Sequence, residues 1–211
     1  AFSMFGDKLI ARINRYESLQ LNSRFGGTAG RLNSMDFNGA ASGSNLEDHA
    51  TVWVATLHPE WTAQQQRQEV YRILGLPAGF VENVVGKTIS DTRDVTSKGT
   101  EFELNYNPSR FWTMKVTGAQ QQAIDTRISP LSHAYADMRL PVWTTVRNPL
   151  TGNLWWTERA NFSGDGTPAG FYLTAVEAQN KINDANEGKP RSQVREWRWN
   201  VLTSYKLAGV S

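Results

Sequence analysis

The chain has 211 residues, of which 39% are apolar and 11% aromatic, with eight tryptophans and a formal charge of +2. The near-neutral balance, with Lys and Arg scattered, argues against nucleic acid as a partner, and the lack of cysteine excludes disulfide scaffolds, thiolate metal sites and thiol catalysis. No run of about 18 apolar residues is present to make a transmembrane helix, a criterion blind to membrane strands, which need only about 9–11 residues with alternate positions apolar.

A Gly6-Asp7 turn signal opens the chain, and Leu9, Ala11 and Ile13 then alternate with Lys8, Arg12 and Asn14, which predicts a strand over 5–19. From Leu21 to Leu46 the composition is that of a loop, with Gly26-Gly27, Gly30, Asn33, Asn38-Gly39 and Ser42-Gly43-Ser44. His58-Pro59-Glu60 precedes a predicted helix near 60–74, in which Trp61, Val70, Ile73 and Leu74 share a face closed by Gly75. A second helix is predicted near 77–85, carrying Phe80, Val81, Val84 and Val85.

The clearest pattern lies over 97–124. Phe102, Leu104 and Tyr106 alternate with Glu101, Glu103 and Asn105; after an Asn107-Pro108-Ser109 turn, Trp112, Met114 and Val116 alternate with Thr113, Lys115 and Thr117. This predicts a β-hairpin with one apolar and one charged face. Ser129 as N-cap and Pro130 at the first position predict a helix near 130–139 that ends at Pro141. An irregular stretch holding Trp143, Trp155 and Trp156 surrounds a turn at Asn148-Pro149-Leu150-Thr151-Gly152-Asn153. Thr167-Pro168 opens a further helix near 168–186, with Phe171, Ala175, Ala178, Ile182 and Ala185 on one face and Gly188 and Pro190 as its stop. The last predicted strand, 194–207, sets Trp197, Trp199 and Val201 against Arg198 and Asn200.

The resulting order is strand, excursion over 20–96, hairpin, excursion over 125–193, strand. One connection is minimal and two are long, which is the asymmetry of an outer-membrane barrel with short turns at one rim and long loops at the other. The expected fold is therefore mainly β: a partial antiparallel transmembrane β-barrel wall of about four strands, a single fragment of a barrel domain, whose two excursions contain short helices. Phe102, Leu104, Tyr106, Trp112, Met114, Val116, Trp197, Trp199 and Val201 are expected to face lipid, and Glu101, Glu103, Thr113, Lys115, Arg198 and Asn200 a wet lumen. Both termini look cut, so the chain is expected to be part of something longer and to aggregate or need detergent when alone.

The residues Ser97-Lys98-Gly99-Thr100-Glu101-Phe102-Glu103-Leu104, followed by Asn107-Pro108 and Trp112, resemble a hairpin in the C-terminal barrel of TonB-dependent outer-membrane receptors. Arg195-Glu196-Trp197-Arg198-Trp199-Asn200-Val201-Leu202-Thr203-Ser204-Tyr205 resembles a later strand of the same barrels, in a large-looped branch seen in Verrucomicrobia-like bacteria. The resemblance implies a barrel of roughly 22 strands in a bacterial outer membrane, enclosing a plug domain and importing a siderophore, vitamin or glycan. The partners it implies are outer-membrane lipid, the remainder of the barrel with its plug, and TonB through a segment absent from these residues. No residue here matches the plug or the TonB-engaging motif, so none is assigned to energy coupling.

Catalysis has little support, and the chain is expected not to be an enzyme. His49, His58 and His133 sit in unrelated contexts, Asp48-His49 are only neighbours in sequence, and no nucleophile motif is present. Glu101 and Glu103 put two carboxylates on one strand face, which suits a glycosidase pair or, as favoured here, the wet wall of a barrel. Gly26-Gly27-Thr28-Ala29-Gly30-Arg31 lacks the Gly-Lys-Ser/Thr ending of a phosphate loop. Gly164-Asp165-Gly166 with Asp125 or Asp184 lacks the clustered oxygens of a calcium site, so no metal and no cofactor is expected. Five loop tryptophans, Trp53, Trp61, Trp143, Trp155 and Trp156, are candidate ligand-binding rings, with Trp155-Trp156 favoured. The alternative function is a soluble secreted β-rich carbohydrate-binding module, in which Phe171, Val176 and Ile182 would cover the hairpin's apolar face.

Overall fold

A computed structural model describes residues 1–37, 45–76 and 90–207. The predicted second helix at 77–85 lies outside these residues, as do Asn38-Gly39 and Ser42-Gly43-Ser44. Five strands, β1 (Phe2–Met4), β2 (Leu9–Phe25), β3 (Asp91–Ser109), β4 (Trp112–Thr126) and β5 (Trp197–Tyr205), form one open antiparallel sheet in the order β1-β2-β3-β4-β5. The chain divides into two compact units: a sheet unit of residues 1–21, 94–126 and 187 onward, and a helical unit of 22–93 and 127–186.

The hairpin forms, but its turn lies further on than the sequence suggests. β3 runs through Asn107 and Pro108 to Ser109, which pairs with Trp112, so the connection is Arg110-Phe111. The register shifts between Tyr106 and Ser109, and Pro108, having no N–H to give a ladder, sits inside that interruption. The Asn107 N–H donates to the Lys8 carbonyl at 2.7 Å, which brings the β1–β2 turn to the same end of the sheet. Because the strands are antiparallel, β2 and β4 run out into the two long excursions at the opposite end.

Those excursions contain as much helix as the sheet contains strand, so the expectation of a mainly β chain is corrected. The stretch 21–46 is not simply loop: β2 extends to Phe25, and Gly30 and Asn33 lie inside α1 (Ala29–Asp36). The sequence also gave no cue to α2 (Leu46–Leu57), whose N-cap Asn45 accepts from the Asp48 N–H. Both helices are short and weak by propensity; what fixes them is burial of Leu32, Met35, Ala50 and Trp53 in a common core. α3 (Ala63–Leu74) follows its local signals, with a Thr62–Gln65 capping box and Gly75 closing it at φ 62°.

α4 (Pro130–Trp143) departs from prediction at both ends. Ser129 is left-handed (φ 56°) and makes no cap bond. The Asp91 carboxylate, from the start of β3, instead accepts the N–H groups of Leu131 (3.2 Å) and Ser132 (2.8 Å). The helix also continues past Pro141 by two residues, with the hydroxyls of Thr144 and Thr145 bonding the carbonyls of Leu140 (2.7 Å) and Pro141 (2.6 Å).

The last helical stretch begins as predicted, Thr167 accepting from the Gly170 N–H at 3.0 Å. It comprises α5 (Pro168–Phe171), a π segment Tyr172–Glu177 and α6 (Ala178–Asn186). The wider π turn rotates the buried face onto Tyr172, Val176, Asn180 and Asn183, away from the predicted Ala178, Ile182 and Ala185. Ile182 is 54% exposed. Trp143, Trp155, Tyr172 and Val176 from the second excursion share one core with Leu32, Met35 and Trp53 from the first, so the two excursions fold as one body.

Candidate functional site

Strand pairing sorts the side chains of the central sheet into two opposite sets. Across β3, β4 and β5, Phe102, Gly118 and Trp199 stand in one row, Leu104, Val116 and Val201 in the next, and Tyr106, Met114 and Thr203 in a third. Gly118 is required in the first row, because a Cβ there would run into the Phe102 ring. That ring meets Trp199 edge-on, with centroids 4.6 Å apart. Trp197 stacks on Trp199 at 6.1 Å, and the Trp112 indole N–H donates to the Thr203 hydroxyl at 2.9 Å. No described residue covers the outer part of this face: Trp199 and Val201 are each 62% exposed.

The opposite face is mainly polar, Leu202 beside Lys115 excepted, and its polar groups are internally paired. Glu101, Ala119 and Arg198 form one row, and Glu103, Thr117 and Asn200 the next. Lys115 Nζ lies 3.1 Å from the Glu103 carboxylate, which also accepts from the Asn105 amide, and Arg198 donates to Gln121 at 2.9 Å. A hollow of about 480 Å³ opens over these rows, lined by Asn14, Glu101, Glu103, Thr117, Arg198 and Asn200. The structure thus gathers four of the residues expected to face the lumen and adds Asn14 and Thr117, which the sequence put on polar strand sides without assigning them to a site. Thr113 and Lys115 lie further along the same strand face. Facing carboxylates, amides and a guanidinium can grip a hydroxylated or mixed-charge surface by hydrogen bonds.

The candidate tryptophans are not brought together at one surface. Trp53 (3% exposed), Trp143 and Trp155 (both 0%) are core residues of the helical unit. Trp61 is half-buried and stacks on His58 at 3.7 Å, while Trp156, also half-buried, packs in a three-ring cluster with Trp143 and Tyr172. Loop composition hid this, since a ring that anchors a small core and a ring that meets a ligand look alike in sequence.

The remaining candidates have local structural partners. His49 packs on Trp53, and His133 faces Asp184 at 3.3 Å. Thr28 of the glycine-rich stretch donates to Asn180 at 2.8 Å, and Arg31 to the Ala175 carbonyl at 2.7 Å. Asp165 accepts from the N–H and hydroxyl of Thr167, which hold its carboxyl below the ordinary range, and Asp125 is clasped by Arg191 at 3.0 Å. No group of three potential metal ligands occurs among the described residues.

Sequence reading missed a buried polar knot in the helical unit. Asp36 Oδ1 accepts from Arg139 Nη2 (2.6 Å) and Trp143 Nε1 (2.8 Å), and Oδ2 from Arg139 Nε (2.8 Å) and the Tyr135 hydroxyl (2.7 Å). Arg139 Nη1 closes on the Leu74 carbonyl at 2.7 Å. Both carboxylate oxygens and all three guanidinium nitrogens are engaged, which marks the knot as structural. No protein-family model, curated protein or solved structure matches the chain.

Proposed function

We propose that the sheet is a section of the wall of an outer-membrane β-barrel of the TonB-dependent receptor type, and that residues 22–93 and 127–186 are excursions at its outer rim that capture or cover a scarce nutrient. The observation that carries this is the exposed apolar row of Trp197, Trp199 and Val201 on one face, set against the ion-paired Glu103–Lys115 face on the other. Lipid outside and water inside call for that division. Two short turns at one end of the sheet and two long excursions at the other support the same reading. The nine residues of β5 match the roughly 9–11 that cross a bilayer. β2, β3 and β4, with 17, 19 and 15 residues, continue beyond the hydrocarbon layer. The carbohydrate-module alternative needs a cover over the apolar row, whereas Val176 belongs to the helical core and Ile182 is exposed.

Reconstitution of the chain into vesicles containing brominated acyl chains tests this. Tryptophan fluorescence should be partly quenched, and replacing Trp197 and Trp199 by Phe should reduce the quenched component to that of Trp112, which stands on the same face and is 39% exposed. A soluble monomer with a cooperative thermal transition and no quenching would overturn the proposal.

A further inference from the structure

Beside the knot, α1 and α4 leave a hollow of about 330 Å³ between them, within the helical unit. Ala29 and Leu32 form one wall; Leu131, Ala134, Tyr135 and Met138, which lie three or four residues from a neighbour on the same helix face, form the other. Leu131 and Met138 stand at the rim, 54% and 48% exposed, while Leu32 at the floor is 1% exposed.

Two features separate this hollow from an incidental groove. Its walls are held from behind: the Tyr135 ring lines the hollow while its hydroxyl is tied to Asp36, itself gripped by Arg139 and Trp143, and the Ser132 N–H is tied to Asp91. A wall fixed in this way cannot collapse to fill the space. The lining is also almost wholly apolar, and its single polar group without a partner among the described residues is the hydroxyl of Ser132, a residue 1% exposed. The Tyr135 phenol is already bonded, so no free ionisable group faces the space.

We infer that this hollow binds a small, uncharged, mostly apolar molecule of bicyclic size carrying one hydrogen-bonding group, which Ser132 meets by rotating its hydroxyl. Size sets the class: a cavity of about 150 Å³ lined by aliphatic and aromatic side chains stays dry and takes one benzene, and this one has about twice that volume. Rigid, mainly hydrophobic walls with a few placed polar groups are the usual make-up of small-molecule sites. The site rests on the helical unit alone, so it stands or falls separately from the barrel.

The test is titration of the full chain with 1-naphthol, read by NMR of methyl-labelled methionine. The four methionines, Met4, Met35, Met114 and Met138, include one at the rim and two on the strands. Met138 should shift saturably while Met4 and Met114 stay in place. Ala134→Phe, at an exposed lining position, should weaken binding by roughly tenfold or more with helical circular dichroism unchanged; Leu131→Glu is the second blocking variant should the first misfold. Ser132→Ala should weaken 1-naphthol and leave naphthalene unaffected. A silent Met138, equal shifts at every methionine, or binding indifferent to both blocking variants would overturn the site. So would a Met138 shift that follows protein concentration without naphthol, which would assign the hollow to a second copy of the chain.

Discussion

Asp36 shows how far a single carboxylate can organise this molecule. It is fully buried and reaches Arg139 and Trp143 on α4, 103 and 107 residues away. Removing one partner of a buried, hydrogen-bonded ion pair strands the other charge, at a cost of about 3–5 kcal/mol. Arg139→Met should therefore lower the stability of the helical signal by about that amount in a denaturant titration. Tyr135 adds a pH dependence. Burial first, then the charge of Asp36 and the bond donated to it, raise the phenol's pKa above its ordinary value. Its stabilising contribution is thus complete below the unfolded tyrosine pKa of about 10 and is lost as pH rises toward the folded one. Circular dichroism followed into alkali should show the helical unit weakening. In Tyr135→Phe the decline should be shallower, with the slope that remains coming from Tyr172, which burial also raises.

At the scale of elements, the sheet depends on two glycines that accept rings from opposite faces. Gly118 lies under Phe102, and Gly99 lies against Tyr16 of β2. Rings laid over strand glycines hold adjacent strands in register. Gly118→Val should drive Phe102 off β4 and loosen its contact with Trp199; hydrogen exchange should then show loss of protection in β5 with β3 less affected. These elements also show what could be read from sequence. The hairpin, α3 and the start of α5 were legible because their signals are local: period-two alternation, a Thr62–Gln65 box, and Thr167 before Pro168. The two faces of the candidate site were legible for the same reason. α1 was not, because Arg139 and Trp143, which hold its Asp36, lie about a hundred residues further on; nor was α2, whose buried face packs chiefly on α3; nor was the passage of α4 through Pro141, which keeps Trp143 in reach of Asp36. The π segment was equally silent, since one extra residue in a turn leaves no compositional trace.

The whole molecule interleaves its two units along the chain: sheet, helices, hairpin, helices, strand. Neither unit is contiguous, and this sets an order of assembly. As the chain is made from its N-terminus, α1 emerges with Asp36 long before Arg139 exists, and a lone carboxylate holds α1 in water rather than in a core. The β3–β4 hairpin, complete at Thr126, needs no such wait. In refolding of the complete chain the same order follows from sequence separation, short for the hairpin and about a hundred residues for Asp36 and Arg139, so pulsed hydrogen exchange should protect the amides of β3 and β4 before those of α1, and protection of α1 and α4 should appear together. On that expectation the buried ion pair is a timer, withholding the helical body until the β3–β4 hairpin has found its register.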